Sequence, residues 1–196
     1  MQNEKDFDMN ELYEKLKEYK PFDEEEAQNV KSFLQFLDAF GDNVWTRDNM
    51  VGHISSSAWV VNPEKTKVLM AYHKIYDSFA WLGGHADGDK DLLHVALKET
   101  MEESGITNVK PVLNDFIDVV GMFVKPHVKR GVHIPSHIHY NVTYLLEAPE
   151  NQDLHIAEAE NSAVKWIDFQ DVMNCVTEEH MKPVYRRLIE KTIRLR

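Results

Sequence analysis

GGHADGDKDLLHVALKETMEESGI, running from Gly83 to Ile106, is the stretch whose reading decides the fold. A glycine-rich loop leads into a segment with helical periodicity. Glu99, Glu102 and Glu103 stand at i, i+3 and i+4, so one helical face carries all of them. Like charges on adjacent turns weaken an isolated helix. A cation among them relieves the repulsion, and a hard divalent ion with oxygen ligands suits carboxylates best, Mg²⁺ first and Mn²⁺ or Ca²⁺ next. Leu93, Ala96, Leu97, Thr100 and Met101 follow the same period and predict the core side. Asp89 or Asp91 is placed to cap the helix start, and Gly105 follows its last turn. The bland alternative is a solvated acidic face, but such faces tend to alternate in sign.

The stretch resembles the Nudix box, G-x5-E-x7-R-E-U-x-E-E-x-G-U, where U is a bulky apolar residue. Gly84, Glu99, Glu102, Glu103, Gly105 and Ile106 fit the pattern, including its whole E-x-x-E-E-x-G-I end. Lys90 stands where the family has its first glutamate, Lys98 where it has arginine, and Thr100 where it has an apolar residue. Over most of its length the chain is also similar to a Nudix branch with G-G-H in the loop and a helical N-terminal extension. The resemblance implies an α/β fold, a Nudix-like α/β/α sandwich with a mixed sheet. Residues 1–50 would then form the helical extension packed on the main domain, and 51–196 the hydrolase domain.

The resemblance further implies metal ligation by the Gly84 carbonyl together with Glu99, Glu102 and Glu103. The implied reaction is Mg²⁺-dependent hydrolysis, Mn²⁺ being the alternative ion, of the diphosphate bond of a nucleoside diphosphate linked to another group. The general base is not fixed in the family. Glu103 is the candidate within the box, with Glu99 as the alternative there. Glu160 is the candidate outside it, because related chains place an acidic residue shortly before the tryptophan that Trp166 matches, and Glu158 is its rival. In the family, the arginine at the position of Lys98 grips a box glutamate with a two-pronged salt bridge; lysine keeps the charge but not the fork. The competing reading of these departures is a nucleotide-binding sensor with a degenerate box and no catalysis.

Composition narrows the classes. The 196 residues carry a net charge of −11 and 43% hydrophobic residues, which fits a globular domain and argues against a nucleic-acid polymer as partner. Nucleotides remain compatible, since a metal can bridge phosphate to carboxylate. Cys175 is the single cysteine, so no intrachain disulfide forms and a reducing, cytoplasmic setting is the expectation. No signal-peptide pattern opens the chain and no apolar run has membrane-span length, so no membrane partner is expected.

Elsewhere the pattern predicts helices over residues 8–20 and 24–40, the second capped by Asp23 and striped by Val30, Phe33, Leu34, Leu37 and Phe40. That stripe packs on the main domain or, as the alternative, on the second subunit of a homodimer. Ala58–Val61 and Val68–Tyr72 read as a hairpin. Phe116–Val124, Tyr140–Leu146 and Val164–Ile167 read as further strands. Asp168 is expected to cap a brief helix reaching Val172. A C-terminal helix starts near Pro183, with Tyr185, Leu188, Ile189, Thr192 and Ile193 inside and Arg186, Arg187, Lys191 and Arg194 outside.

Histidines concentrate in one region. His133, His137 and His139 alternate, so one strand could present them on a single face, with His127 and the loop residue His85 as further members. The favoured reading makes His85, His137 and His139 substrate contacts to phosphate or sugar. A histidine-bound transition metal, giving a zinc hydrolase, is the third reading.

Overall fold

The Asp23 side chain accepts the Glu26 N–H at 2.8 Å and starts a 17-residue helix where the capping pattern predicts one. The computed structural model describes residues 9–74, 77–129, 131–157 and 161–196. Its helices are α1 (Met9–Glu18), α2 (Glu24–Phe40), α3 (Leu92–Ser104), α4 (Val172–Cys175) and α5 (Lys182–Arg194). Its strands are β1 (Gly52–Val61), β2 (Lys67–His73), β3 (Ser78–Ala80), β4 (Leu82–His85), β5 (Lys110–Pro111), β6 (Asp118–Val124), β7 (His127–Lys129), β8 (Val132–Ile134), β9 (His137–Glu147) and β10 (Asn161–Asp168). One sheet runs β10-β2-β1-β9-β5, with β3 on β2, β4 on β1 and β6 on β9; β7 and β8 form a separate hairpin. The expected combination of sheet, helices and N-terminal helical extension is present.

The chain forms two compact units, Met1–Ser55 with His85–Leu92 and Val119–Asn141, and Ser56–Gly84 with Leu93–Asp118 and Val142–Arg196. In the first, α2 buries Val30, Phe33, Phe36 and Leu37. Phe36 takes the place predicted for Leu34 and stacks on Tyr140, with ring centroids 4.1 Å apart. Tyr140 is thereby committed to packing. Glu26 is fully buried on the same helix. It is tolerated there because its carboxylate accepts from Tyr19 Oη at 2.6 Å, Phe22 N at 2.7 Å and Val119 N at 3.1 Å. Asn29 Oδ1 accepts the Gly121 N–H at 3.1 Å, a further tie between α2 and β6.

In the second unit the predicted hairpin pairs Val60 with Leu69 and Val61 with Val68. Asn62 closes its turn, Oδ1 accepting the Thr66 and Lys67 N–H groups at 2.8 and 2.9 Å. β10 lies antiparallel on the other edge of β2, with Trp166 opposite Leu69. α5 brings Tyr185 against Trp59, with centroids 5.7 Å apart.

Three details of the sequence reading are corrected here. Arg187 is not outside: it is 3% exposed and grips the fully buried Asp118, Nε to Oδ1 at 2.7 Å and Nη2 to Oδ2 at 3.1 Å. Ile193 is exposed instead. Asp168 does not cap α4, which begins at Val172 after a turn whose Asp171 N–H reaches the Asp168 carbonyl.

Candidate functional site

The site begins where β4 runs out in a glycine pair. A Cβ on Gly83 would lie 2.6 Å from the Ser56 carbonyl oxygen and 2.7 Å from Ser57 Cα, both backbone atoms, so only hydrogen fits. The bare backbone then meets α3. Gly83 N–H donates to Glu103 Oε2 at 3.0 Å. At Gly84 a Cβ would fall 2.5 Å from Glu99 Cδ, inside the space the carboxylate fills. Loop and helix therefore meet through two glutamates and two glycines, all in the second unit.

The helix face differs from the predicted one. Val95, Ala96, Thr100, Glu103 and Ser104 are buried, while Met101 is exposed and Leu93 and Leu97 are half-buried. The helix is rolled so that Glu103, 6% exposed, lies on the inner side. The Gly83 N–H is one of the contacts that offset the cost of that burial. Thr100 and Ser104 are buried too, their hydroxyls returned to the Ala96 and Thr100 carbonyls. Gly105 ends the helix in a left-handed conformation, its N–H reaching the Met101 carbonyl at 2.9 Å.

The acidic side chains grade outward from Glu103 through Glu99, 19% exposed, to Glu102, 59% exposed. Lys98 lies beside both outer carboxylates, Nζ 3.5 Å from Glu99 and 3.9 Å from Glu102, long contacts with no fork geometry. Lys90 is engaged elsewhere, with Asp42 at 3.1 Å and over the Trp45 ring at 5.7 Å. Asp89 turns its carboxylate to the Asp91 N–H at 2.9 Å, just ahead of α3. Glu158 and Glu160 lie outside the described residues.

The first unit holds the histidines, and their membership changes. His133 is exposed on β8 and is not part of the group. His53, at the start of β1, takes its place. No sequence signal marked it, because its partners lie far along the chain. Ligand-capable atoms of His53, His137 and His139 all lie within 4.8 Å of one another. His139 Nε2 is 3.1 Å from His137 Nε2 and 3.2 Å from His85 Nε2. Burial, then His137, pushes the His53 pKa down to about 4, against a weaker opposing pull from the Asn49 backbone. Burial, then His85, pushes that of His139 down to about 2.

A family model described as the NUDIX domain matches residues 52–191. The chain belongs to the Nudix family. A Nudix-family hydrolase from Clostridium perfringens has a similar structure, with 20% identity, a TM-score of 0.55, and coverage of 74% of this chain and 98% of that one. A C. elegans Ap4A hydrolase gives 18%, 0.51, 69% and 93%. The E. coli dihydroneopterin triphosphate pyrophosphohydrolase gives 14%, 0.52, 70% and 94%. At these identities the likeness bears on the fold. A search of curated protein sequences gives no match. Nudix membership supports hydrolysis of pyrophosphate bonds, a chemistry for which the family generally uses a divalent metal. Among the described residues no helix is long and apolar enough to cross a membrane.

The Nudix loop and helix suit such an ion in donor chemistry. Two carboxylates, Glu99 and Glu103, meet a backbone stripped of side chains, oxygen donors of the kind hard cations take, while Glu102 stands on the exposed side of the same helix.

Proposed function

We propose that this Nudix protein is a Mg²⁺-dependent hydrolase, with Mn²⁺ as the alternative ion, that cuts the diphosphate of a nucleoside diphosphate linked to another group. The contact of Gly84 with Glu99 carries the reading, because it leaves carboxylate and bare backbone side by side. Gly84, through its carbonyl, and Glu99, Glu102 and Glu103 would hold the metal. When bound, the ion neutralises pyrophosphate charge and lowers the pKa of water.

The protein's own part is positioning and proton transfer. Glu103 is fixed by its bond to Gly83 N–H, which holds one carboxylate oxygen in a defined place. Water attacks phosphorus, the bridging P–O bond breaks, and the leaving phosphate departs with the bonding electrons. The water's proton passes to a carboxylate, Glu103 or Glu160. His85 follows Gly84 directly in the chain, and we assign it a phosphate contact. The sensor reading rests on the two lysines, and no observation favours it: Lys90 is paired with Asp42, and Lys98 keeps its charge beside Glu99 and Glu102.

Incubating the protein with a panel of nucleoside diphosphate derivatives, with Mg²⁺ or Mn²⁺, tests the proposal. A nucleoside monophosphate and a phosphorylated second product are expected. Binding without cleavage across the panel would move the assignment to a sensor. With a cleaved substrate in hand, Glu160→Gln is expected to cost at least about a hundredfold in turnover, the low end for loss of a general base. An unchanged rate in that variant moves the base to Glu158, and an unchanged rate in Glu158→Gln as well moves it into the box helix, to Glu99 or Glu103.

A further inference from the structure

Histidine rings as close as His137, His139 and His85 are normally explained by hydrogen bonds between them. That explanation runs short here. His137 Nδ1 lies 2.9 Å from the Pro135 carbonyl oxygen, which can only accept, so Nδ1 carries the proton. The neutral ring therefore presents a lone pair at Nε2. That lone pair faces His139 Nε2 at 3.1 Å, and His139 Nε2 also faces His85 Nε2 at 3.2 Å. One ring nitrogen has a single in-plane direction, occupied by either a proton or a lone pair. It cannot serve both neighbours well. His53 adds to the problem, being 4% exposed and, beyond the pull of the Asn49 backbone, without a well-formed hydrogen bond at its ring nitrogens among the described residues. Leaving a buried polar atom unmatched is costly.

A single cation facing these lone pairs removes the conflict. Zinc binds imidazole nitrogen at about 2.0–2.1 Å, so two tetrahedral ligands have nitrogens about 3.3–3.4 Å apart. The observed 3.1 Å between His137 and His139 is close to that spacing. The bond from His137 Nδ1 to a backbone carbonyl is the outer support that metal-binding histidines usually have; it fixes tautomer and ring orientation.

We propose that His53, His137 and His139 form a second metal site, distinct in chemistry from the acidic helix, for a divalent transition ion of the zinc class. Neutral nitrogen donors suit zinc, copper, iron or nickel and disfavour Mg²⁺. Three ligands leave one tetrahedral position for water or an anionic oxygen. His85 stands beside the group through its contact with His139. The site lies within the first unit and does not depend on the hydrolase reading.

The test uses the full chain, stripped with a chelator and dialysed against Zn²⁺ with a large excess of Mg²⁺ to occupy oxygen sites. Metal analysis is expected to find one zinc per chain. Long-range proton–nitrogen NMR of the imidazoles is expected to show His137 and His139 Nε2 shifted on zinc addition, with His137 Nδ1 still protonated. His139→Gln should weaken zinc binding by more than about 100-fold, since even outer-shell partners are worth 10–100-fold. The Glu102→Gln/Glu103→Gln double variant should keep its zinc. If His139→Gln does not fold, the wild-type spectrum decides alone. No bound zinc, zinc that leaves the imidazole resonances unmoved, or zinc lost with the glutamates overturns the proposal.

Discussion

Glu103 accepts the backbone N–H of Gly83 at 3.0 Å, so the buried end of the acidic helix and the glycine loop are held as one piece. A charge-assisted bond of this kind is stronger than a neutral one. It explains how a carboxylate that is 6% exposed is kept on the inner side of α3. It also fixes the loop register, so that Gly84 comes to lie against Glu99.

Gly84→Ala tests that register. The added methyl would sit 2.5 Å from Glu99 Cδ, and the flexible carboxylate rather than the backbone must yield. The fold should survive with a small loss of stability. Activity should fall at least about tenfold, because a misplacement of about 1 Å in a positioned group can cost about a hundredfold. Thermal melting and steady-state turnover under saturating Mg²⁺ check this. Full activity in the alanine variant would show that Glu99 need not lie where it does.

Lys98→Arg addresses the family departure. Nζ reaches Glu99 and Glu102 only at 3.5 and 3.9 Å. A guanidinium can bridge a carboxylate with two parallel bonds. Turnover is expected to stay level or rise. A large loss in a folded variant would mean that the surroundings are built around lysine.

Asp118→Ala probes stability away from the site. The carboxylate is fully buried and receives both prongs of Arg187, plus Lys191 Nζ at 2.9 Å. Removing it strands a buried guanidinium, and breaking such pairs costs about 3–5 kcal/mol. Urea denaturation should show a loss of that order. A change under about 1 kcal/mol would mean that water or a neighbour replaces the carboxylate easily.

These residues also show which features the sequence could disclose. The Asp23 cap, the Asn62 turn and the glutamate spacing act within a few residues, so local chemistry made them legible. Arg187 was not, because Arg186 and Arg187 are alike in sequence and only Asp118, far along the chain, separates them. His53 was missed for the same reason: its partners come from β9. The face of α3 was misjudged because periodicity counts Met101 as core and Glu103 as solvent-facing. The Gly83 N–H reverses that order by giving Glu103 a buried donor.

Mg²⁺-dependent turnover of Glu102→Gln and Glu103→Gln, each beside wild type on one nucleoside diphosphate derivative, tests the central claim most directly. Glutamine keeps the volume and an acceptor for Gly83 N–H, so melting without metal should change little. Turnover should fall in both variants by about a hundredfold or more, the scale at which a lost catalytic charge or base is felt. Wild-type turnover in both variants, with the fold intact, would contradict metal-assisted hydrolysis at this helix.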